Sequence, residues 1–368
     1  MNFELNEDQL QIQSAVGRWI SERYGVTQRA GYLTEPQGWS KSIWLEYAEL
    51  GLTAIQVPAC YGGLAGSAID QYVVMRELGS ACVVEPYVGT SIAAVTALLR
   101  CGSDEQRSYH LPRIVSGEST FGWAHGEGNH HRLNSVVVSR ASQTDGGFAI
   151  SGEKTCVLHG DGADYYVVSA MKEGVPSLFL VEGDASGVSL RRFRLVDGSA
   201  AADVRFDNVA AVPLGNESEG HGEVIASVED AVSAALCAEA VGAMKAALDL
   251  TVRYLNTRMQ FGKALASNQA LRHRCADMAV MLECSESMAM LAAITMANSQ
   301  GCEPGDLHSA KVLIARNGRS LCELAIQLHG GIGMTEEYGI GRYLQRLMVF
   351  DQLFGSTEDR VSALNAMR

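Results

Sequence analysis

The spacing of hydrophobic positions changes twice along the chain, and the changes divide it into three stretches. In roughly the first 115 residues, Leu10, Ile12, Ala15, Val16, Trp19 and Ile20 fall on one face at helical spacing. Trp44, Tyr47, Leu50 and Leu52 follow. The pattern ends at Val57-Pro58-Ala59-Cys60-Tyr61-Gly62-Gly63, where a proline and paired glycines break it. Further helices are predicted over Ile69 to Leu78 and Ser91 to Leu99, and Asp104-Glu105-Gln106 opens another short one.

From about Phe121 to Pro213 the texture turns to short β-rich runs: Ser135 to Ser139, Phe148 to Ser151, Tyr165 to Ser169, Ser177 to Val181 and Ala202 to Phe206. Glycine-rich breaks such as Asp145-Gly146-Gly147 separate them, a spacing that predicts a sandwich or barrel-like domain. From about Glu217 the helical pattern returns. Ala231 to Tyr254, Gln269 to Asn298 and Lys311 to His329 are long and free of proline, as expected for a bundle with apolar faces inward. The expected class is α+β in three domains: a helical domain over 1–118, a β-domain over 119–215 and a helical bundle over 216–368. No internal repeat or long linker interrupts this order.

Composition narrows the possible partners. A net charge of -13 argues against nucleic acid as the main ligand, because phosphate binding needs basic patches. Arg272, His273 and Arg274 form a local basic cluster that reads as a solvated helix face. Nine scattered cysteines with no C-x-x-C read as reduced, mostly buried thiols. His130 and His131 are adjacent, so on a strand they would face opposite ways and make a poor metal pair. No apolar run reaches the ~18 to 20 residues that span a bilayer, and Met1 to Leu10 is unlike a signal peptide. A soluble, cytoplasmic protein is expected.

Candidate chemistry concentrates near the C-terminal end. Arg258 is followed by Gln260-Phe261-Gly262, which offers a cation, an apolar wall and a turn. Gln327 with Gly330, Gly331 and Gly333 offers backbone that no side chain shields, presented at the end of a helix. A dinucleotide pyrophosphate needs both a fixed planar donor and close backbone N–H groups. Taken singly, each motif has a plainer reading, as a solvated helix end or a capped turn. Their order and separation within one helical region make those readings harder to keep.

These motifs resemble the acyl-CoA dehydrogenase family, and the resemblance runs through essentially the whole chain. Glu49-Leu50-Gly51-Leu52 with Val57-Pro58 and Tyr61-Gly62-Gly63 is similar to the family's N-terminal helical domain. Ile150-Ser151-Gly152-Glu153-Lys154-Thr155 with Ala163-Asp164 is similar to its middle β-domain. Arg258-x-Gln260-Phe261-Gly262, Gln269, Ala276-Asp277-Met278 and the segment from Gln327 to Gly333 are similar to its C-terminal bundle. The resemblance implies FAD as cofactor. It assigns Arg258, Gln260, Phe261, Gly262 and Gln269 to FAD contacts from one subunit. Gln327, Gly330, Gly331 and Gly333 would reach the adenosine end of FAD bound by a neighbouring subunit.

The departures point further. The family loop Thr-Glu-Pro-x-Ala-Gly-Ser-Asp is here Ala124-His125-Gly126-Glu127-Gly128-Asn129-His130-His131. Cys156 and Leu158 stand where the family keeps a Trp and a Ser or Thr beside the flavin ring. The turn that carries the catalytic glutamate, Tyr-Glu-Gly-Thr, is Phe354-Gly355-Ser356-Thr357, so Thr357 remains as an FAD contact that the resemblance implies and Gly355 is inert. The family's second glutamate position, counted back from Ala240-Val241-Gly242, falls on Val232. Asp230 is two residues away and ~200° around the helix, a poor substitute that reads better as a helix cap or a substrate contact.

Leu236-Cys237-Ala238-Glu239-Ala240-Val241-Gly242 and the tail from Thr335 through Arg346 to Gly355 resemble the small or partner subunits of heteromeric members, those acting on pimeloyl-CoA or steroid side-chain thioesters. The implied role is an α2β2 subunit whose partner supplies the glutamate. That glutamate would take the α-proton while the β-hydride passes to flavin N5, with electrons leaving to an electron-transferring flavoprotein. The rivals are a homomer using Asp230 or Glu239 as base, and a catalytically silent scaffold.

Overall fold

Asn6 and Gln9 exchange side-chain and backbone hydrogen bonds of 2.8 and 3.0 Å, and this reciprocal cap starts α1 (Glu7–Arg23), whose inner face buries Val16 and Trp19. The structure is a computed structural model that describes residues 5–128, 133, 136–216, 220–297 and 305–367. The helices α2 (Val26–Leu33), α3 (Lys41–Glu49), α4 (Ala68–Ala81), α5 (Val95–Cys101) and α6 (Asp104–Val115) complete the first region. The helix expected over Ser91 to Leu99 is two pieces: a buried π-helical segment, Val88–Ala94, runs directly into α5. Such wide turns recur at functional sites.

The strands β1 (Phe121–Ala124), β2 (Arg140–Thr144), β3 (Gly147–Leu158), β4 (Tyr165–Lys172), β5 (Val175–Glu182), β6 (Val188–Arg194) and β7 (Ala200–Pro213) form one sheet. Its order is β1-β4-β2-β3-β7-β5, with β6 on β7, and β5 also pairs with β4. The sheet therefore closes on itself around Phe148, Ile150, Tyr166, Phe179 and Phe206, the barrel-like outcome the short runs predicted. The strand expected from Ser135 to Ser139 is corrected. Residues 136–139 are irregular and β2 starts at Arg140, while Ser135 lies outside the described residues.

In the third region α7 (Gly222–Thr257) begins well before the predicted Ala231, and no proline interrupts residues 222–230. Asp230 thus sits inside α7 and caps no helix start, a correction to its sequence reading. A two-stranded hairpin, β8 (Met259–Gln260) and β9 (Lys263–Ala264), leads to α8 (Gln269–Ala297), α9 (Asp306–His329), α10 (Gly341–Gln352) and α11 (Thr357–Ala366). Asn298, the predicted end of α8, lies outside the described residues. Among the described residues α8 is long and apolar enough to cross a membrane, which corrects the expectation that no segment would be. It packs on α7 and α9 as a bundle helix, and Arg272, His273 and Arg274 lie exposed along it.

Two glycines bring α4 and α7 into backbone contact. A Cβ on Gly79 of α4 would lie 2.0 Å from the Glu239 carbonyl oxygen, and one on Gly242 of α7 would lie 1.8 Å from that of Arg76. The two helix backbones therefore touch. Buried Arg346 of α10 joins the regions electrostatically, bonding Glu239 at 2.5 and 2.9 Å and Asp197 of the β-region at 2.9 Å. Arg29 of α2 adds a 2.8 Å bond to the Asp197 carbonyl.

Of the eight cysteines described, Cys82, Cys237 and Cys322 are buried and the others at least partly exposed, so the expectation of mostly buried thiols is corrected. Asn129, His130 and His131 lie outside the described residues.

Candidate functional site

The two C-terminal motifs meet at one end of the bundle. Arg258 closes α7, its N–H donating to Tyr254 at 2.8 Å. Tyr254 stacks on His329, the last residue of α9, with ring centroids 4.5 Å apart, and its hydroxyl donates to the His329 carbonyl at 3.3 Å. Gly330 follows at φ +65. A Cβ on Gly330 or Gly331 would meet nothing within 4 Å, so this backbone opens onto free space. Gly333 differs, turned inward and buried against the Ile326 carbonyl.

The hairpin beside this end projects outward. Phe261 (φ +52) and Gly262 (φ +77) form a left-handed two-residue turn of the kind that suits hairpins. The Phe261 ring at its tip is 99 % exposed, and Arg258, Gln260 and Gln269 are exposed beside it, as is Gln327 across from it. An unprotected aromatic at a hairpin tip has no packing role inside this chain.

A second locus lies where the three regions meet. A cavity of ≈ 20 Å³ is lined by Val88, Gly89 and Ala93 of the π-segment, Trp123 of β1, His125 and Gly126 just after it, Cys156 and Leu158 of β3, Glu229 of α7, and Phe354. That volume holds about one water. The turn expected to carry the base borders it. Gly355 adopts φ +91, and a Cβ there would sit 3.1 Å from Leu133 Cβ and 3.2 Å from Arg360 Nε. Two buried cations hold this turn. Lys311 Nζ donates to the Leu353 carbonyl and, at 2.6 Å, to that of Gly355. Arg360 donates to the Phe354 carbonyl at 2.6 Å and to Ser233 at 2.8 Å. Burial pushes the Lys311 ammonium down to about 7.

Thr357 spends its N–H and its hydroxyl on Asp351, at 3.1 and 2.6 Å, inside its own chain. Val232 is fully buried. Glu239 is clamped to Arg346 through both oxygens, which leaves it no role as a base. Asp230 does not line the cavity. Glu229, which sequence counting passed over, does: it sits three residues before Val232 and therefore ~60° from it around the helix. Burial raises its carboxyl to about 7, and Arg360 opposes that shift. Its Oε1 lies 3.6 Å from His125 Nε2.

A helical region, a closed sheet and a helical bundle joined at such a cleft, with glycine-rich backbone presented at the bundle end, define an acyl-CoA dehydrogenase-type flavoprotein fold. Residues 6–118 match the family's N-terminal domain, residues 126–209 its middle domain and residues 231–365 its C-terminal domain. The chain belongs to the acyl-CoA dehydrogenase family, whose members are FAD-dependent oxidoreductases. It is 27% identical to the probable acyl-CoA dehydrogenase YngJ of Bacillus subtilis, over 97% of both chains. The solved Tcur3481-Tcur3483 steroid acyl-CoA dehydrogenase variant is 26% identical, with TM-score 0.87 over 98% of this chain and 97% of that one. The ChsE4-ChsE5 complex of Mycobacterium tuberculosis shares the fold, with TM-score 0.90 at 21% identity over 100% of this chain and 98% of that one.

The residues present fit one end of FAD and not the other. Open backbone at Gly330 and Gly331 with exposed Arg258 and Gln269 suits a pyrophosphate and an adenosine. The ≈ 20 Å³ cleft behind Trp123 and Phe354 has no room for a three-ring isoalloxazine.

Proposed function

We propose that this chain is a subunit of a heteromeric FAD-dependent acyl-CoA dehydrogenase, which desaturates an acyl thioester between Cα and Cβ. It contributes dinucleotide contacts while a family partner supplies the catalytic glutamate, in an α2β2 assembly. One observation carries this reading: the turn 354–357 has no carboxylate and closes a cleft too small for flavin and thioester together. The fully exposed Phe261 hairpin supports it, because such a tip is buried only by a neighbour.

FAD, when bound, would supply the acceptor for the hydride of the β-carbon. Arg258 neutralises pyrophosphate charge through its guanidinium, and Gln260, Gln269 and Gln327 donate or accept hydrogen bonds along the dinucleotide. Phe261 excludes water from its apolar side. Gly262, Gly330 and Gly331 let backbone approach, and Gly333 holds the bend that presents them. Thr357, engaged with Asp351, shapes the turn. Of the three parts 1–118, 119–215 and 216–368, the last carries all of these residues. The two-chain steroid enzyme among the similar structures supports a bulky steroid side-chain thioester as substrate, with a dicarboxylyl thioester as the other candidate. Electrons leave to an electron-transferring flavoprotein, in the cytoplasm.

A second reading, a homomeric dehydrogenase with a non-standard base, is favoured only by Glu229, the carboxylate that faces the cleft. Measuring FAD per chain separates these readings, first in the chain expressed alone and then with a glutamate-bearing family member encoded beside it. Little flavin alone and about one FAD per pair together establishes the heteromer. Full flavin in the isolated chain sinks it in favour of the homomer, and no flavin in either preparation leaves a scaffold.

A further inference from the structure

The flank of the bundle carries another cavity, built by residues that neither the cleft nor the glycine-rich end uses. It measures ≈ 300 Å³ and lies between α1, α4 and α8, a size at which small ligands are held. Buried Val73 and Met290 give it an apolar floor. Charge gathers on its other side. Arg76 of α4 donates from Nε to Glu286 of α8 at 3.1 Å and from Nη1 to Glu77 at 3.3 Å, and Gln13 of α1 donates to Glu77 at 3.1 Å. Glu283 lines the cavity one helical turn before Glu286, and among the described residues no cation pairs with it. Three carboxylates therefore share one guanidinium. A separate observation concerns Tyr72, which lines the cavity and is only 6 % exposed. Its hydroxyl makes no hydrogen bond to any described residue, although a buried phenol usually finds a partner. Burial pushes that phenol up to about 12, with Arg76 opposing and Glu286 and Glu77 adding, so the hydroxyl keeps its proton and ends beside the charged groups of the cavity.

We propose that this cavity binds a small organic cation, a primary ammonium carried on a short apolar chain. The ammonium sits between Glu283 and Glu286, where it offsets the repulsion of two like charges on neighbouring turns of one helix. It donates one N–H to the Tyr72 hydroxyl, which has acceptor capacity that nothing in the chain uses. The apolar chain lies on Val73 and Met290, away from water. Other ligand classes fit worse. A bare metal ion is smaller than the cavity, and among the described residues no three His, Cys, Asp or Glu side chains are grouped to hold one. An anion would meet the carboxylates as repulsion. A plain ion-pair cluster that docks α1 onto α4 accounts for Arg76, Glu77 and Gln13. It gives no role to the Tyr72 hydroxyl or to a second carboxylate set one turn from Glu286. This inference depends neither on flavin nor on a partner subunit.

Hexylammonium is the probe, titrated into the full chain and followed by ligand-observed NMR, with hexanol and hexanoate as the uncharged and anionic forms of the same chain length. The expected result is saturable binding of hexylammonium with a Kd of about 1 mM or below, weaker binding of hexanol and none of hexanoate. Comparing the three probes needs no variant, so folding effects do not enter. Glu283→Gln alters an exposed side chain, and Tyr72→Phe removes only the hydroxyl. Each should weaken hexylammonium binding by roughly three- to tenfold, the loss of one polar contact. Glu173→Gln removes an equal charge from the turn between β4 and β5 and should leave the affinity unchanged, which separates the cavity from the general attraction of a chain of net charge -13. Absence of saturable hexylammonium binding overturns the proposal. So does hexanol binding as tightly as hexylammonium, or an affinity in Glu283→Gln equal to that of the parent.

Discussion

Tyr254 and His329 stack with ring centroids 4.5 Å apart, and this one contact fixes the Arg258 hairpin against the glycine-rich segment after α9. The two motifs are far apart in sequence, yet they act at one end of the bundle because the last turns of α7 and α9 pack side by side. Tyr338 adds an edge to the same stack, its ring 5.7 Å from that of Tyr254.

Arg258→Ala is expected to lower flavin retention in the assembled complex by about tenfold or more, the loss of one charge-assisted contact. Because Arg258 is exposed, the unfolding free energy should stay within about 0.5 kcal/mol of the parent. Flavin absorbance per protein after gel filtration is the measurement, and undiminished flavin removes Arg258 from the site.

Restoring the family glutamate should not restore catalysis. Gly355→Glu forces a side chain onto a backbone at φ +91 and against Leu133 and Arg360. Left-handed strain alone costs about 1–2 kcal/mol. A urea titration should therefore show the variant less stable, and the isolated chain should remain inactive toward acyl thioesters. Parental stability together with flavin-dependent turnover would contradict the closed cleft.

Arg346→Ala strips the partner from two buried carboxylates, Glu239 and Asp197. Removing one member of such a cluster typically costs about 3–5 kcal/mol. The shift in denaturation midpoint measures it, and a loss below 1 kcal/mol would mean that water reaches both carboxylates.

Glu85 gives a pH-dependent test in the N-terminal region. It is buried, bonded by the hydroxyls of Tyr24 at 2.8 Å and Tyr47 at 3.2 Å, and burial raises its carboxyl to about 7. The folded chain thus binds a proton that the unfolded chain has released between about pH 4.5 and 7. Stability linked to Glu85 is full below pH 4.5 and is lost as pH rises through 7. Relative to the parent, Glu85→Gln should gain stability between pH 4.5 and 8, by on the order of 2–3 kcal/mol. Parallel stability curves for the two proteins would show that the carboxyl titrates normally.

The sequence by itself determined the order of helices, strands and helices, the family, and the absence of a carboxylate at Gly355 and Val232. Those features are local: spacing fixes periodicity, and a residue's chemistry is legible wherever it lies. It also placed Phe261-Gly262 at a turn, since left-handed backbone favours such pairs. The strand of residues 136–139 failed because β propensity depends on a pairing partner, which the pattern of one segment cannot supply. Only the tertiary structure decided which carboxylate faces the cleft. Asp230 and Glu229 are neighbours in sequence, but the helix turns ~100° per residue, and packing of α7 against the Val88–Ala94 segment aims Glu229 into the cleft. The same packing closed the cleft, buried Lys311 and Arg360 around the turn, and left the Phe261 tip uncovered, because burial is a property of what surrounds a residue and not of the residue.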